Sequence, residues 1–241
     1  MSEANKIEEL EVEAPPEEAV TTVFYVDDDE AMCESIRFLI ESVSLNIETF
    51  SSARKFLESY DPARAGCLLL DVRMPEMSGL ELQEQLRKRK INIPIIFITG
   101  HGDVPMATRA MKSGAVEFLT KPFNDQTLLD SIQNAIDIDA ERRKVAQERD
   151  EISERINKLT PREYEVMQCV IKGNLNKVTA YELGISSKTV ELHRAKIMEK
   201  MQAKSLAQLV AMVLVHEGSI KHRHKKSDDD DMLFESMQDS A

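Results

Sequence analysis

Cys67-Leu68-Leu69-Leu70-Asp71-Val72-Arg73-Met74-Pro75 decides the fold: an apolar run of strand length that ends on a carboxylate and passes into a turn before Gly79. A carboxylate closing a buried strand is costly unless the site uses its charge. Upstream, Thr22-Val23-Phe24-Tyr25-Val26 repeats the pattern and ends in Asp27-Asp28-Asp29. Two strands that both end in acids place carboxylates at one edge of a parallel sheet, an arrangement suited to a cation and phosphoryl chemistry.

Working outward, strand-like runs recur at 23–27, 47–50, 67–71, 93–98 and 116–120. Helix-like stretches separate them at 30–42, 52–59, 79–89 and 104–113, the first carrying Ile36, Leu39, Ile40 and Val43 on one face. Ser113-Gly114 is a helix stop, and Asp29 with Glu30 suits the N-terminal turn of the first helix. Five strands alternating with helices predict an α/β fold with a doubly wound, five-stranded parallel sheet.

The chain divides into five segments. Residues 1–20, Glu-rich with Pro15-Pro16, are expected to be a disordered acidic leader, and residues 21–125 form the α/β domain. Residues 126–158 form an extension of the fifth helix and a linker helix, in which Ile138, Val145, Ile152 and Leu159 recur every seven residues. Arg142 and Arg149 occupy the intervening positions, so a short coiled coil and a solvated connector both fit. A second, all-α domain spans 159–216, and 217–241 is expected to be a disordered tail.

With 241 residues, 42% hydrophobic and 31% charged, the chain is long enough for two cores. Its net charge of −12 argues against nucleic acid until it is divided along the chain. Residues 160–215 carry eight Lys and Arg against five Asp and Glu, and are the only segment with a positive balance. Cys33, Cys67 and Cys169 lie apart among apolar neighbours, as reduced core thiols of a cytoplasmic protein. No signal-peptide pattern or membrane-length apolar stretch occurs, so no membrane partner is expected.

Strand ends gather Asp27 and Asp28, Asp71, Thr99 and Lys121 around one crevice. Singly, each has an ordinary structural explanation; five at matching strand ends do not. Oxygen ligands of this kind suit Mg²⁺, and a carboxylate can act as nucleophile toward phosphorus.

Residues 22–124 resemble the receiver domain of two-component response regulators, a flavodoxin-like fold. The resemblance rests on Val26-Asp27-Asp28-Asp29-Glu30, Leu70-Asp71-Val72-Arg73-Met74-Pro75-Glu76-Met77-Ser78-Gly79, Ile98 through Ala107, and Lys121-Pro122-Phe123. The last two stretches are similar to the FixJ-type branch. The resemblance implies that Asp71 accepts phosphate from a sensor histidine kinase. It implies that Asp28, Asp71 and the Arg73 backbone carbonyl bind Mg²⁺ directly and Asp27 through water. Thr99 and Lys121 would contact the phosphoryl group, Phe118 would change rotamer with Thr99, and the α4–β5 face (Val104, Arg109, Val116) would form a homodimer.

The second domain opens on Leu159-Thr160-Pro161-Arg162-Glu163, a capping box with proline at the first helical position. Helices follow at 176–183, 187–201 and 205–215, the first two separated by Gly184-Ile185-Ser186. Together they resemble the four-helix LuxR-type helix-turn-helix, implying double-stranded DNA and RNA polymerase as partners. Val190, Ile197 and Met201 should face the core; Lys188, Glu191, Leu192 and Ala195 should face bases; Lys177, Lys188, Thr189, Arg194 and Lys204 should contact phosphates. Thr179 departs from the pattern, standing where such modules bury an aliphatic residue.

The expected function is a transcription factor phosphorylated on Asp71, with a phosphorylation-independent regulator of the same architecture as the alternative. A phosphatase on a similar sheet would normally carry a second aspartate two residues after the nucleophile, where this chain has Arg73. No enzymatic turnover is therefore expected.

Overall fold

The computed structural model describes residues 20–100 and 104–216; the expected tail and nearly all of the leader lie outside them. The first unit alternates strand and helix: β1 (Thr22–Val26), α1 (Glu30–Ser42), β2 (Asn46–Phe50), α2 (Ala53–Ser59), β3 (Gly66–Asp71), α3 (Gly79–Lys88), β4 (Ile95–Thr99), α4 (Val104–Lys112) and β5 (Glu117–Thr120). All five strands are parallel, in the order β2-β1-β3-β4-β5. The chain therefore reverses its direction of sheet growth between β1 and β3, which opens a crevice at their carboxyl ends.

Alternation along the strands builds two cores. Phe24, Val26, Leu68, Leu70 and Phe97 pack with Phe56 of α2 and with Leu82 and Leu86 of α3. Val23, Tyr25, Cys67, Leu69, Ile96 and Ile98 pack on the other face with Ile36 and Ile40 of α1 and with Leu128, Ile132 and Ala135. Val43, expected on the packed face of α1, is instead its C-cap and 44% exposed. Ser44 then takes a positive φ, and Leu45 turns back onto the core in its place.

α5 runs unbroken from Asp125 to Asn157. The chain divides into two units within this helix, Met1–Arg142 and Arg143–Ala241. Near its first part, the Asp139 carboxylate accepts from the Gly66 amide at 2.9 Å, fixing the start of β3. In its last part, Ile152 and Ile156 pack with Leu159 in the second unit's core, while Val145 is 51% exposed. Within one chain, Ile152 and Leu159 of the seven-residue stripe thus belong to the second unit's core, whereas Val145 does not.

The second unit contains α6 (Pro161–Ile171), α7 (Asn176–Leu183), α8 (Ser187–Lys200) and a helix over 206–216, here α9. α6 begins with the expected capping box between Thr160 and Glu163. Gly184 closes α7 in the left-handed conformation, φ 64°, which glycine enters without a Cβ penalty. Val166, Met167, Val170, Val190, Ile197, Met201, Leu209 and Val213 form the core, as helical spacing predicted for Val190 and Ile197 of α8 and for Met201, its C-cap.

Candidate acidic pocket and nucleic-acid interface

Asp27 follows β1 and Asp71 ends β3, one on each side of the crevice. Both are buried, and the Lys121 ammonium, delivered from the end of β5, lies between them. Lys121 Nζ donates to Asp27 Oδ2 at 2.9 Å and to Asp71 Oδ1 at 3.2 Å. The Arg73 amide donates to Asp71 Oδ2 at 2.6 Å, and the Asp29 amide to Asp27 Oδ1 at 2.9 Å. Backbone register places Lys121 here, because its amide bonds the Thr99 carbonyl at 2.8 Å, continuing the β4–β5 ladder. Thr99 itself is buried at the end of β4.

Gly79 holds the turn after Asp71 against the strand. Its amide donates to the Val72 carbonyl at 2.9 Å, and a Cβ there would lie 2.2 Å from the Asp71 carbonyl oxygen. Only glycine permits that approach.

The electrostatics follow from burial and charge. Burial pushes the Asp71 carboxyl above its ordinary value; Lys121 opposes the rise and Asp27 adds to it. Burial works against the charged Lys121, but its hydrogen bond and ion pair with Asp27, then Asp71, outweigh it and raise its pKa. The carboxylates are therefore arranged around a positive charge, which the chain supplies from Lys121. Among the described residues no three acidic, His or Cys side chains converge into a metal-binding cluster, and Asp28 is exposed beside the crevice. Two oxygen-bearing carboxylates already gathered around one cation nevertheless fit Mg²⁺, which takes one or two carboxylates and keeps several waters.

In the second unit, α7, the Gly184 turn and α8 form a helix-turn-helix. Ser186 caps α8, accepting from the Thr189 amide at 3.0 Å. Asn176 Oδ1 accepts from Arg194 at 3.3 Å, and Asn176 Nδ2 donates to Glu191 at 3.5 Å, bracing α7 to α8. Lys177, Lys188, Glu191, Leu192, Ala195 and Lys204 are exposed, Leu192 to 60%. Thr189 and Arg194 are half-buried.

Residues 23–133 match the response regulator receiver domain family, and residues 157–213 match the bacterial regulatory proteins of the luxR family. The response regulator protein TodT of Pseudomonas putida is 47% identical over 190 residues, covering 79% of this chain and 84% of TodT. The transcriptional regulatory protein FixJ of Azorhizobium caulinodans is 45% identical over 193 residues, covering 80% of this chain and 92% of FixJ. The chain is a response regulator. It belongs to the FixJ/LuxR-type branch, with a receiver domain followed by a LuxR-type helix-turn-helix. Among solved structures, the response regulator StyR is 50% identical with a TM-score of 0.75, covering 81% of this chain and 98% of that one. Full-length FixJ from B. japonicum is 40% identical with a TM-score of 0.51, covering 82% and 97%.

Of the expected pocket residues in this response regulator, Asp27, Asp71 and Lys121 touch, and the Thr99 backbone joins them through Lys121. Phe118 is half-buried, its ring centroid 6.1 Å from that of Phe97. On α4, Val104 is 80% exposed and Arg109 is exposed, whereas Val116 packs against the α1–α5 side of the sheet. His101, Gly102 and Asp103, part of the FixJ-like stretch, lie outside the described residues.

The sequence reading missed Tyr25, whose phenol donates to Asp27 Oδ2 at 2.5 Å. An aromatic within β1 already satisfies the core pattern, so nothing in the sequence marked its hydroxyl as a partner of Asp27. The sequence reading also missed Asn176 as a brace, although the residue stood within the motif. No helix among the described residues is long and apolar enough to cross a membrane.

Proposed function

We propose that Asp71 is phosphorylated by a sensor histidine kinase and that the modified chain dimerises and binds promoter DNA to regulate transcription in the cytoplasm. The observation that carries this reading is the Lys121 ammonium, held between Asp27 and Asp71 at the edge of the sheet. An Asp71 carboxylate oxygen attacks the phosphorus, and the bond from phosphorus to the kinase histidine breaks. Lys121 is positioned to follow the developing charge on the phosphoryl oxygens. Asp28, Asp71 and the Arg73 carbonyl would hold Mg²⁺, with Asp27 acting through water. An ion held there would supply positive charge that neutralises the phosphoryl oxygens.

The new phosphate offers acceptors to the Thr99 hydroxyl. Movement of Thr99 leaves room for Phe118 to turn inward beside Phe97, remodelling the α4–β5 face for a second copy. DNA is then met by α8, with Glu191, Leu192 and Ala195 at base edges alongside Lys188. Lys177, Thr189, Arg194 and Lys204 join Lys188 at phosphates, and RNA polymerase is engaged at the promoter. Domain limits of 21–125 and 159–216, joined by 126–158, accommodate both functions.

A small phosphodonor with MgCl₂ should add one phosphoryl group by mass spectrometry, convert the protein to a dimer by light scattering, and strengthen duplex binding. Asp71→Asn should do none of these. Equal dimerisation and DNA binding by untreated Asp71→Asn and phosphodonor-treated wild type would instead establish phosphorylation-independent regulation.

A further inference from the structure

We propose that Tyr25 sets how strongly the acidic pocket takes up a divalent cation, by competing with the cation for the charge of Asp27. This rests on the Mg²⁺-assisted phosphorylation reading above and adds a positioning residue to it.

Tyr25 is fully buried in the sheet face covered by α1 and α5, among Val23, Ile36, Ile40 and Leu69. Its ring is a core side chain, but its hydroxyl reaches the pocket from beneath. Asp27 Oδ2 accepts from both Tyr25 and Lys121, while Oδ1 accepts from the Asp29 amide. An ionised carboxylate offers about four acceptor positions, so protein donors take most of this group's capacity. Each donor also draws down the negative charge that remains for a cation or its bound water.

Phenylalanine would preserve the ring and remove the donor. The freed Oδ2 position and the greater residual charge on Asp27 then act in one direction, toward tighter cation binding. Relief of a less well solvated carboxylate by the cation acts in the same direction. A merely structural hydroxyl would change stability and leave cation affinity where it was.

MgCl₂ titrated calorimetrically into full-length Tyr25→Phe should give a Kd roughly threefold to tenfold below that of the wild type, the scale of losing part of a charge-assisted hydrogen bond. In an Asp27→Asn background the same substitution should have no effect. An unchanged or weaker affinity in folded Tyr25→Phe, checked by far-UV circular dichroism, overturns the proposal. So does an equal gain in the Asp27→Asn background. Wild-type protein supplies a test that needs no variant: Mg²⁺ should shift the Tyr25 ring resonances in step with the calorimetric binding curve, and unmoved resonances overturn the proposal. Failure of the wild type to bind Mg²⁺ overturns both this proposal and the Mg²⁺-assisted reading, whereas wild-type binding with no Tyr25→Phe effect overturns only the role of Tyr25.

Discussion

Thr179 is fully buried in α7, and its Oγ1 has no hydrogen-bond partner among the described residues. A buried hydroxyl without a partner costs about 1–3 kcal/mol, and valine replaces it at nearly the same volume. Thr179→Val should therefore stabilise the second unit by about 1 kcal/mol. Urea denaturation should show a higher midpoint at constant slope; an unchanged midpoint would mean that the hydroxyl is satisfied in solution. The sequence identified this residue as a departure because a polar side chain stood at a core position of a helix-turn-helix. Tyr25 was not legible by the same route. An aromatic in a strand already satisfies the core pattern, and only the direction of its hydroxyl connects it to Asp27. Asp71 and Lys121 were legible because a charge closing a strand violates burial preferences wherever the strand goes.

At the element scale, α6 is tied to α8 through its own capping box. Glu163 is buried, accepts from the Thr160 amide at 2.9 Å and pairs with Lys200 at 2.6 Å. The hydrogen bond from Lys200, then that from the Thr160 backbone, lowers its pKa from 4.5 to about 2. A depressed folded-state value means that the carboxylate stabilises the fold above its ordinary value. That contribution is lost as pH falls from about 4.5 towards about 2. Glu163→Gln should cost about 2 kcal/mol at neutral pH, combining a weakened cap with an unpaired Lys200. Stability of the variant should also fall less between pH 4.5 and 2, as thermal melts across that window would reveal. The capping box was legible because Thr-Pro-x-Glu satisfies local rules, but the pairing with Lys200 joins residues 37 apart in sequence. The reach of α5 was legible for a related reason: nothing in 125–157 breaks the helical period. Which core claims Ile152 was not, since periodicity gives a residue's face and not the neighbour that covers it.

Across the whole molecule, a net charge of −12 coexists with a positive balance of three in residues 160–215. That small excess predicts weak phosphate binding by one copy, and binding should strengthen when two copies occupy paired half-sites. Exposed Lys177 and Lys188 should contribute phosphate contacts, which carry no sequence information. Lys188→Ala should weaken binding to related and unrelated duplexes alike and reduce the slope of log affinity against log salt by about one per bound copy. Leu192→Ala should act differently, because an exposed apolar side chain on α8 suits a base methyl group and neutralises no phosphate. It should narrow the preference between a specific and an unrelated duplex while leaving the salt slope unchanged. Fluorescence anisotropy of phosphodonor-treated protein, measured on both duplexes over a salt series, separates these outcomes. An unchanged slope in Lys188→Ala would remove Lys188 from the phosphate contacts, and a changed slope in Leu192→Ala would mean that the substitution moves α8 as a whole.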